Sequence, residues 1–497
     1  MVSKQRSKIP NGETTAFRLF LLLAMLAVGV YWFFGAMMPW QTFLNSDHAV
    51  PYEMTVQPWI KQDFYFWHAG RFGSLFVVFW KAIGRHLFGH GAEAFYLGHC
   101  LAFFTGLSFW LMAVTRPLAR LLLLYLLLPL NIMTGEMFLM PGHLYGMSFL
   151  VLGAMTFLLV KARPSPVNTM LMGVTAGLGY WQHEPTGVLC CLMYLGGQLS
   201  LADDGPIRRA WTALLQSRYF ALGIIPVLIF AEVARSWSSL WAPPTHLTFT
   251  DWNNFLISLS QITHHGFKCQ NGTIVGRGLF YGSIWLCLGG FMLRGIVFKQ
   301  ASTPAARKLV GMLAGFSCAL VLLTLLIAAN QWFIANGRVE RYFNFLLAPI
   351  VFFMVRILDV GLGRVWYRWI IAMFLIVITA NIHAGDSEGW IFSAAAKQRH
   401  ATDYVHAIDR IAQLEAAKCT GFIGANHSDS YIISALTDGR ITAQAFDTEM
   451  NLLLFARIAA EPVFCMRRDI WDKGFLEKMS KGKVCTEVGA DMLRCSH

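Results

Sequence analysis

FGSLFVVFWKAIGRHLFG, residues 72–89, decides how this chain is threaded. A helix here is apolar over much of its surface, but Lys81 and Arg85 interrupt it. Crossing a hydrocarbon core of ~30 Å takes about 20 helical residues of mainly apolar character. A shorter run with two cations reads instead as an amphipathic helix lying in the membrane interface. Every later loop takes its side from that reading. Were 72–89 to cross, each loop would change sides, and the basic residues would run against the positive-inside rule.

Working outward, the apolar runs place spanning helices at about 17–38, 93–114, 118–134, 143–160, 168–182, 186–202, 217–234, 278–298, 308–333, 342–358 and 366–382. The chain has 497 residues, 56% hydrophobic and only 14% charged, against about 25% charged in an average soluble domain. Mean hydropathy is +0.50. No alternating strands of the barrel type appear, so helices are the expected way of satisfying the backbone in lipid. The run Leu19 to Met38 is longer than a signal-peptide core and lacks a small-residue cleavage site, so it reads as a retained first helix. With the N-terminus inside, inner loops carry Arg116, Arg120, Lys161, Arg163, Arg208, Arg209, Arg218, Lys299, Arg307, Lys308, Arg364 and Arg368. Outer loops after the second helix carry Arg235, Lys268, Arg277, Arg338 and Arg341. That bias supports the orientation and accounts for the net charge of +12 without nucleic acid as a partner. The expected fold class is an α-helical polytopic membrane protein of about eleven transmembrane helices, with a small C-terminal α/β extracytoplasmic domain. Residues 1–382 form the transmembrane part, with outer loops 39–92 and 235–277, and 383–497 the soluble part.

The tail differs in texture. ATDYVHAIDRIAQLEAAK reads as an amphipathic helix, TGFIGAN and ITAQAF as buried strands. Its four cysteines, Cys419, Cys465, Cys485 and Cys495, make an even set on the oxidising side, so disulfides are expected in one of three pairings. No CxxC, HExxH, Walker loop or strand-borne GxGxxG occurs. No metal and no cofactor are expected.

Polar groups near membrane depth are costly and mark function, and most here fall on the outer side. Asp47, beside His48 just past the first helix, is placed to act as a general base on an acceptor hydroxyl, or more plainly to cap a short helix. Glu136, between two helix ends, is the second acidic candidate for sharing that work. Arg71 lies between Gly70 and Phe72-Gly73, where a guanidinium near a helix N-terminus can grip a phosphate, or more plainly bind ordinary lipid headgroups or pair with Asp63. Arg338 and Arg341, three apart in an outer loop, suit a membrane-borne phosphate, or pair with Glu340. His143, then the adjacent His183 and Glu184, suggest a polar pocket; hydrogen bonding within the fold is the plainer role for each. The long aromatic loop 235–277 adds His264, His265 and Lys268, beside Trp237, Trp241 and Trp252 that anchor at an interface or stack on sugars.

An outward Asp soon after helix one, an interfacial stretch before helix two, basic residues in a late outer loop and a soluble outer tail resemble the GT-C glycosyltransferases. Ser46-Asp47 followed by Gly70-Arg71-Phe72-Gly73 resembles the opening of the serotype-converting O-antigen glucosyltransferases. That family often carries two acidic residues together; here the second position is His48. The resemblance implies an inverting transferase of the bacterial inner membrane. Its donor is a polyprenyl-phosphate-linked sugar, its acceptor a cell-envelope glycan, and Asp47 its base. A transporter or flippase of a lipid-linked glycan is the alternative; it predicts internal repeats and midplane ionisable residues.

Overall fold

The computed structural model describes residues 51–52, 55, 66–67, 72–73, 75–133, 144–200, 206–239, 248–265, 304–335, 343, 345–360, 394–425, 430–446, 452–470 and 472–496. The stretch 72–89 becomes the second strand of a hairpin followed by a helix. Strands β1 (Phe66–Trp67) and β2 (Phe72–Gly73) pair antiparallel. Helix α1 follows in three continuous stretches, Leu75–Phe79, a π-turn at Trp80–Gly84, and Arg85–Phe88. Its inner face is Phe76, Val77, Trp80 and Gly84, while Ile83 and Leu87 stay exposed. One ridge packs on protein and another is exposed, the division expected of an amphipathic helix. The hairpin was not foreseen, because two-residue strands carry no period to read.

Helices α2 (Ala92–Met112), α3 (Pro117–Met133), α4 (Leu144–Lys161), α5 (Pro166–Gln182) and α6 (Glu184–Leu199) lie where the apolar runs place them. Helix α7 (Pro206–Ser239) is much longer than its apolar run, since Arg208 and Arg209 prolong it past the hydrocarbon limit. Helix α8 (Trp252–His265) corrects the loop expected at 235–277. Phe255, Ser258, Leu259 and Ile262 turn inward at helical spacing. Then come α9 (Pro304–Ala328), the short α10 (Gln331–Ala335) and α11 (Leu347–Val360). Expected spans at 17–38, 278–298 and 366–382 lie outside the described residues. Ala92–Met112, Ser217–Ser236 and Ala306–Ala328 are each long and apolar enough to cross a membrane. Leu222, Ile225, Ile229, Phe230 and Val233 form an exposed stripe on α7, which only lipid makes tolerable. The protein is a membrane protein.

Between apolar helices in lipid there is no hydrophobic drive to associate, so close backbone approach through small residues does the work. Helices α6 and α9 meet at Gly196, Gly311 and Gly315. A Cβ on Gly196 would lie 2.1 Å from the Gly311 carbonyl oxygen, and one on Gly315 2.0 Å from that of Leu192. Helices α5 and α7 meet the same way: a Cβ on Gly173 would lie 2.1 Å from the Phe220 oxygen, and one on Gly223 2.1 Å from that of Met170.

The tail folds as α12 (Ala394–Ala416), β3 (Gly421–Gly424), α13 (Tyr431–Leu436), β4 (Thr442–Ala445), α14 (Leu452–Ala460), β5 (Val463–Arg467), α15 (Lys473–Ser480), β6 (Val484–Val488) and β7 (Met492–Ser496). The sheet order is β4-β3-β5-β7-β6. The first three strands are parallel, and β7 and β6 are added antiparallel. Strands β3 and β4 are buried along their whole length, as parallel strands covered on both faces are. Two disulfides close the domain, Cys419–Cys465 and Cys485–Cys495, the second joining directly opposed residues of β6 and β7.

Candidate functional site

The α5–α6 turn, Gln182-His183-Glu184, gathers contacts from four directions. His183 sits at the corner in extended backbone, ending one helix and starting the next. Gln182, nearly fully buried, accepts a hydrogen bond at 2.9 Å from the Leu75 N–H, an otherwise orphaned donor in the first turn of α1. His183 Nδ1 lies 3.1 Å from Thr186 Oγ1, which donates at 3.0 Å to Ser148 Oγ on α4. The imidazole also stands edge-on to the Phe345 ring at 4.9 Å. Glu184 Oε1 accepts from Arg235 Nη2 of α7 at 2.5 Å, and Arg235 Nη1 donates to Glu232 at 3.1 Å. Tyr180 completes the cluster with its hydroxyl 3.1 Å from the same Glu232 oxygen. One guanidinium therefore serves two carboxylates, and Glu184 is held rather than free.

The hairpin stands beside this turn, β2 against α5 and β1 against α7. Above α1 lies the tail domain. Tyr431, Ile432 and Ala435 of α13 share one buried cluster with Tyr52, Phe76, Val77, Trp80 and Phe95. The Tyr52 ring meets Phe95 edge-on at 5.3 Å, and its hydroxyl donates to Asp438 Oδ1. Burial, then the Asp438 carboxylate, push the Tyr52 phenol well above its usual range, so it stays a donor. The start of α1, the α5–α6 turn, the hairpin and the tail domain thus occupy one end of the helix bundle.

The chain resembles two solved structures along nearly its whole length. Both are ArnT from Cupriavidus metallidurans. Against the apo crystal structure the identity is 14% and the TM-score 0.47, covering 97% of this chain and 98% of that one. Against the structure bound to undecaprenyl phosphate the identity is 15% and the TM-score 0.42, covering 98% of each. No family model matches the sequence. No curated protein matches it either.

Of the candidates read from sequence, the structure brings His183 and Glu184 together in the turn just described. His264 and His265 end helix α8, in place of the expected loop. Asp47, His48, Arg71, Glu136, His143, Lys268, Arg338 and Arg341 lie outside the described residues. Among the described residues no three His, Cys, Asp or Glu side chains gather as a metal site would need. Sequence reasoning missed Arg235 and Tyr180 as partners of Glu184. It also missed a buried cluster at the opposite end of the bundle. There Asp359 of α11 accepts from the Thr115 N–H at 3.0 Å, the Thr115 hydroxyl at 2.7 Å and the Arg116 N–H at 2.7 Å. Arg356 pairs with the same carboxylate and donates to Thr115 Oγ1 at 3.0 Å. Asp359 thus fastens the turn between α2 and α3 from another helix. Nothing in the local sequence points to a partner 244 residues away.

Proposed function

We propose that this chain is a membrane glycosyltransferase. It takes a sugar from a polyprenyl-phosphate donor and passes it to a cell-envelope glycan, an O-antigen or another polysaccharide, on the outer face of the bacterial inner membrane. In this reading residues 1–382 hold the lipid donor, and 383–497 form the periplasmic domain over the acceptor. The observation that carries it is the gathering of polar structure at one end of an apolar bundle. The helix at 75–88, the hairpin of β1 and β2, the His183–Glu184 turn and the disulfide-bonded domain share that end. A disulfide-bonded domain belongs on the oxidising side. A lipid phosphate presents its anion at the same level.

In the proposed reaction Asp47 accepts the proton of the acceptor hydroxyl as that oxygen attacks the anomeric carbon. The bond from that carbon to the donor phosphate oxygen breaks, and the polyprenyl phosphate leaves with the electron pair. Attack opposite the leaving group inverts the centre. Arg71, Arg338 and Arg341 neutralise the phosphate as its charge develops. Glu136 assists in orienting the acceptor. His48, His143, His183, Glu184, His264, His265 and Lys268 shape the pocket. The test is transfer of radiolabelled sugar from a panel of polyprenyl-phosphate sugars in membranes, wild type against Asp47→Asn. Loss of transfer in the inserted variant supports the assignment. Undiminished transfer moves the base to Glu136 or Glu184. Transfer from no donor turns the reading to a transporter.

A further inference from the structure

We propose that the corner where α2 turns into α3, closed by the ends of α4 and α11, binds the headgroup of an anionic phospholipid, with Arg120 and Lys161 as its cationic grips. The lipid is one of the leaflet away from the disulfide-bonded domain. Helix α2 begins beside the helix at 75–88 and has 21 residues, a rise of about 32 Å. Its far end, and the corner with it, therefore lies at the other face of the membrane. That face is the cytoplasmic one in the orientation proposed above, where basic corners between helices take up anionic headgroups.

The corner holds more positive charge than it neutralises internally. Asp359 is its carboxylate, and both oxygens are taken. Oδ2 accepts from the Thr115 N–H, the Thr115 hydroxyl and Arg356, and Oδ1 from the Arg116 N–H. Arg356, 7% exposed, is matched by that one carboxylate, and its Nε finds no acceptor among the described residues. Arg120 gives its Nε to the Val114 carbonyl at 2.9 Å, a neutral partner. Lys161 is exposed at the end of α4, close enough to Arg356 and Arg120 to feel the charge of both. Among the described residues no ion pair joins Arg120 or Lys161 to a carboxylate. A phosphate diester supplies the missing anion together with its acceptor oxygens. Apolar surface adjoins the cations, since Met112 on the last turn of α2 and Val167 on the first turn of α5 are exposed. An acyl chain covers such surface and a soluble phosphate does not, which commits the site to a lipid.

The experiment uses the full chain purified in detergent, where binding does not depend on the orientation or on catalysis. Short-chain phosphatidylglycerol, short-chain phosphatidylethanolamine and inorganic phosphate are titrated in turn, with adducts read by native mass spectrometry. Phosphatidylglycerol is expected to bind and phosphatidylethanolamine not. Lys161→Gln and Arg120→Gln are each expected to weaken phosphatidylglycerol binding about five-fold, the effect of one cation at a headgroup. Lys161→Arg and Arg120→Lys keep the charge and are expected to stay within about two-fold of wild type. Arg218→Gln removes an exposed cation from α7 and is expected to do the same. Equal weakening by Arg218→Gln would mean diffuse surface charge, and equal weakening by Arg120→Lys a structural role for its Val114 bond; either overturns the inference. So does equal binding of phosphatidylethanolamine, or displacement of the lipid by inorganic phosphate at matched concentration.

Discussion

Arg235, near the end of one long helix, reaches Glu184 in the first turn of another at 2.5 Å, and so ties the least buried of the three membrane-length helices among the described residues to the Gln182-His183-Glu184 turn. Glu184 also lies at a helix N-terminus, where a negative charge is favoured. Both groups are partly exposed, so the pair is worth about 1 kcal/mol rather than the several a buried pair would lose. Arg235→Gln is expected to lower the thermal midpoint in detergent by a few degrees. The exchange Glu184→Arg with Arg235→Glu is expected to recover part of that. No recovery in the exchanged pair would mean that the helix N-terminus, not the pairing, holds Glu184.

Asp359→Ala is expected to be far more damaging. It strands two backbone N–H groups, the Thr115 hydroxyl and the Arg356 guanidinium in a buried place. The loss is about 2–4 kcal/mol, read as reduced folded yield and a lower unfolding midpoint. Asp359→Asn keeps an acceptor oxygen and falls between.

Helix positions were legible because a lipid-crossing run is a long, crude signal: the 93–114 run and the observed Ala92–Met112 differ by two residues at most. What surrounds the bundle was less legible. Helix α8 has inward residues 255, 258, 259 and 262 at helical spacing, but Asn253-Asn254 and the flanking tryptophans masked the period. Strands β3 and β4 stood out as the short buried-strand stretches TGFIGAN and ITAQAF, whereas β6 and β7 mix Glu487 and Arg494 into an edge hairpin. At the site, the sequence offered His183 and Glu184 as a pair. It had no means of naming Arg235, 51 residues on, or Leu75, 107 residues back, since both meet the turn only through tertiary packing.

The disulfides differ in expected weight. Cys419–Cys465 closes 46 residues and Cys485–Cys495 only 10. Loop-closure entropy gives about 4 kcal/mol for the first and about 3 for the second. Cys419→Ser with Cys465→Ser is expected to loosen the tail domain more than Cys485→Ser with Cys495→Ser, measured as protease sensitivity of residues 394–496. Equal sensitivity would place the domain's weak point elsewhere.

Acid is expected to loosen the same domain. Hydrogen bonds from Arg410 hold the Asp491 carboxyl below the usual carboxylate range, and those from Arg467 do the same for Asp469. A depressed folded pKa gives stability that is present above the unfolded value of about 3.9 and lost as pH falls through the folded one. The urea midpoint of the tail is expected to drop between about pH 4 and pH 2. Arg410→Gln is expected to lower it at neutral pH and flatten the acid slope. A slope unchanged by Arg410→Gln would remove the Arg410–Asp491 pair as its source and leave Asp491 to its second partner, Arg467.

Where Gly196 faces Gly311 and Gly315 faces Leu192, two helices touch backbone to backbone, with the small Ser200 side chain beside the contact. Helices 184–199 and 304–328 are in effect one plank. A long isoprenoid chain has no way in or out along that joint. If the proposed lipid donor binds between the helices, its door would have to be cut elsewhere in the wall.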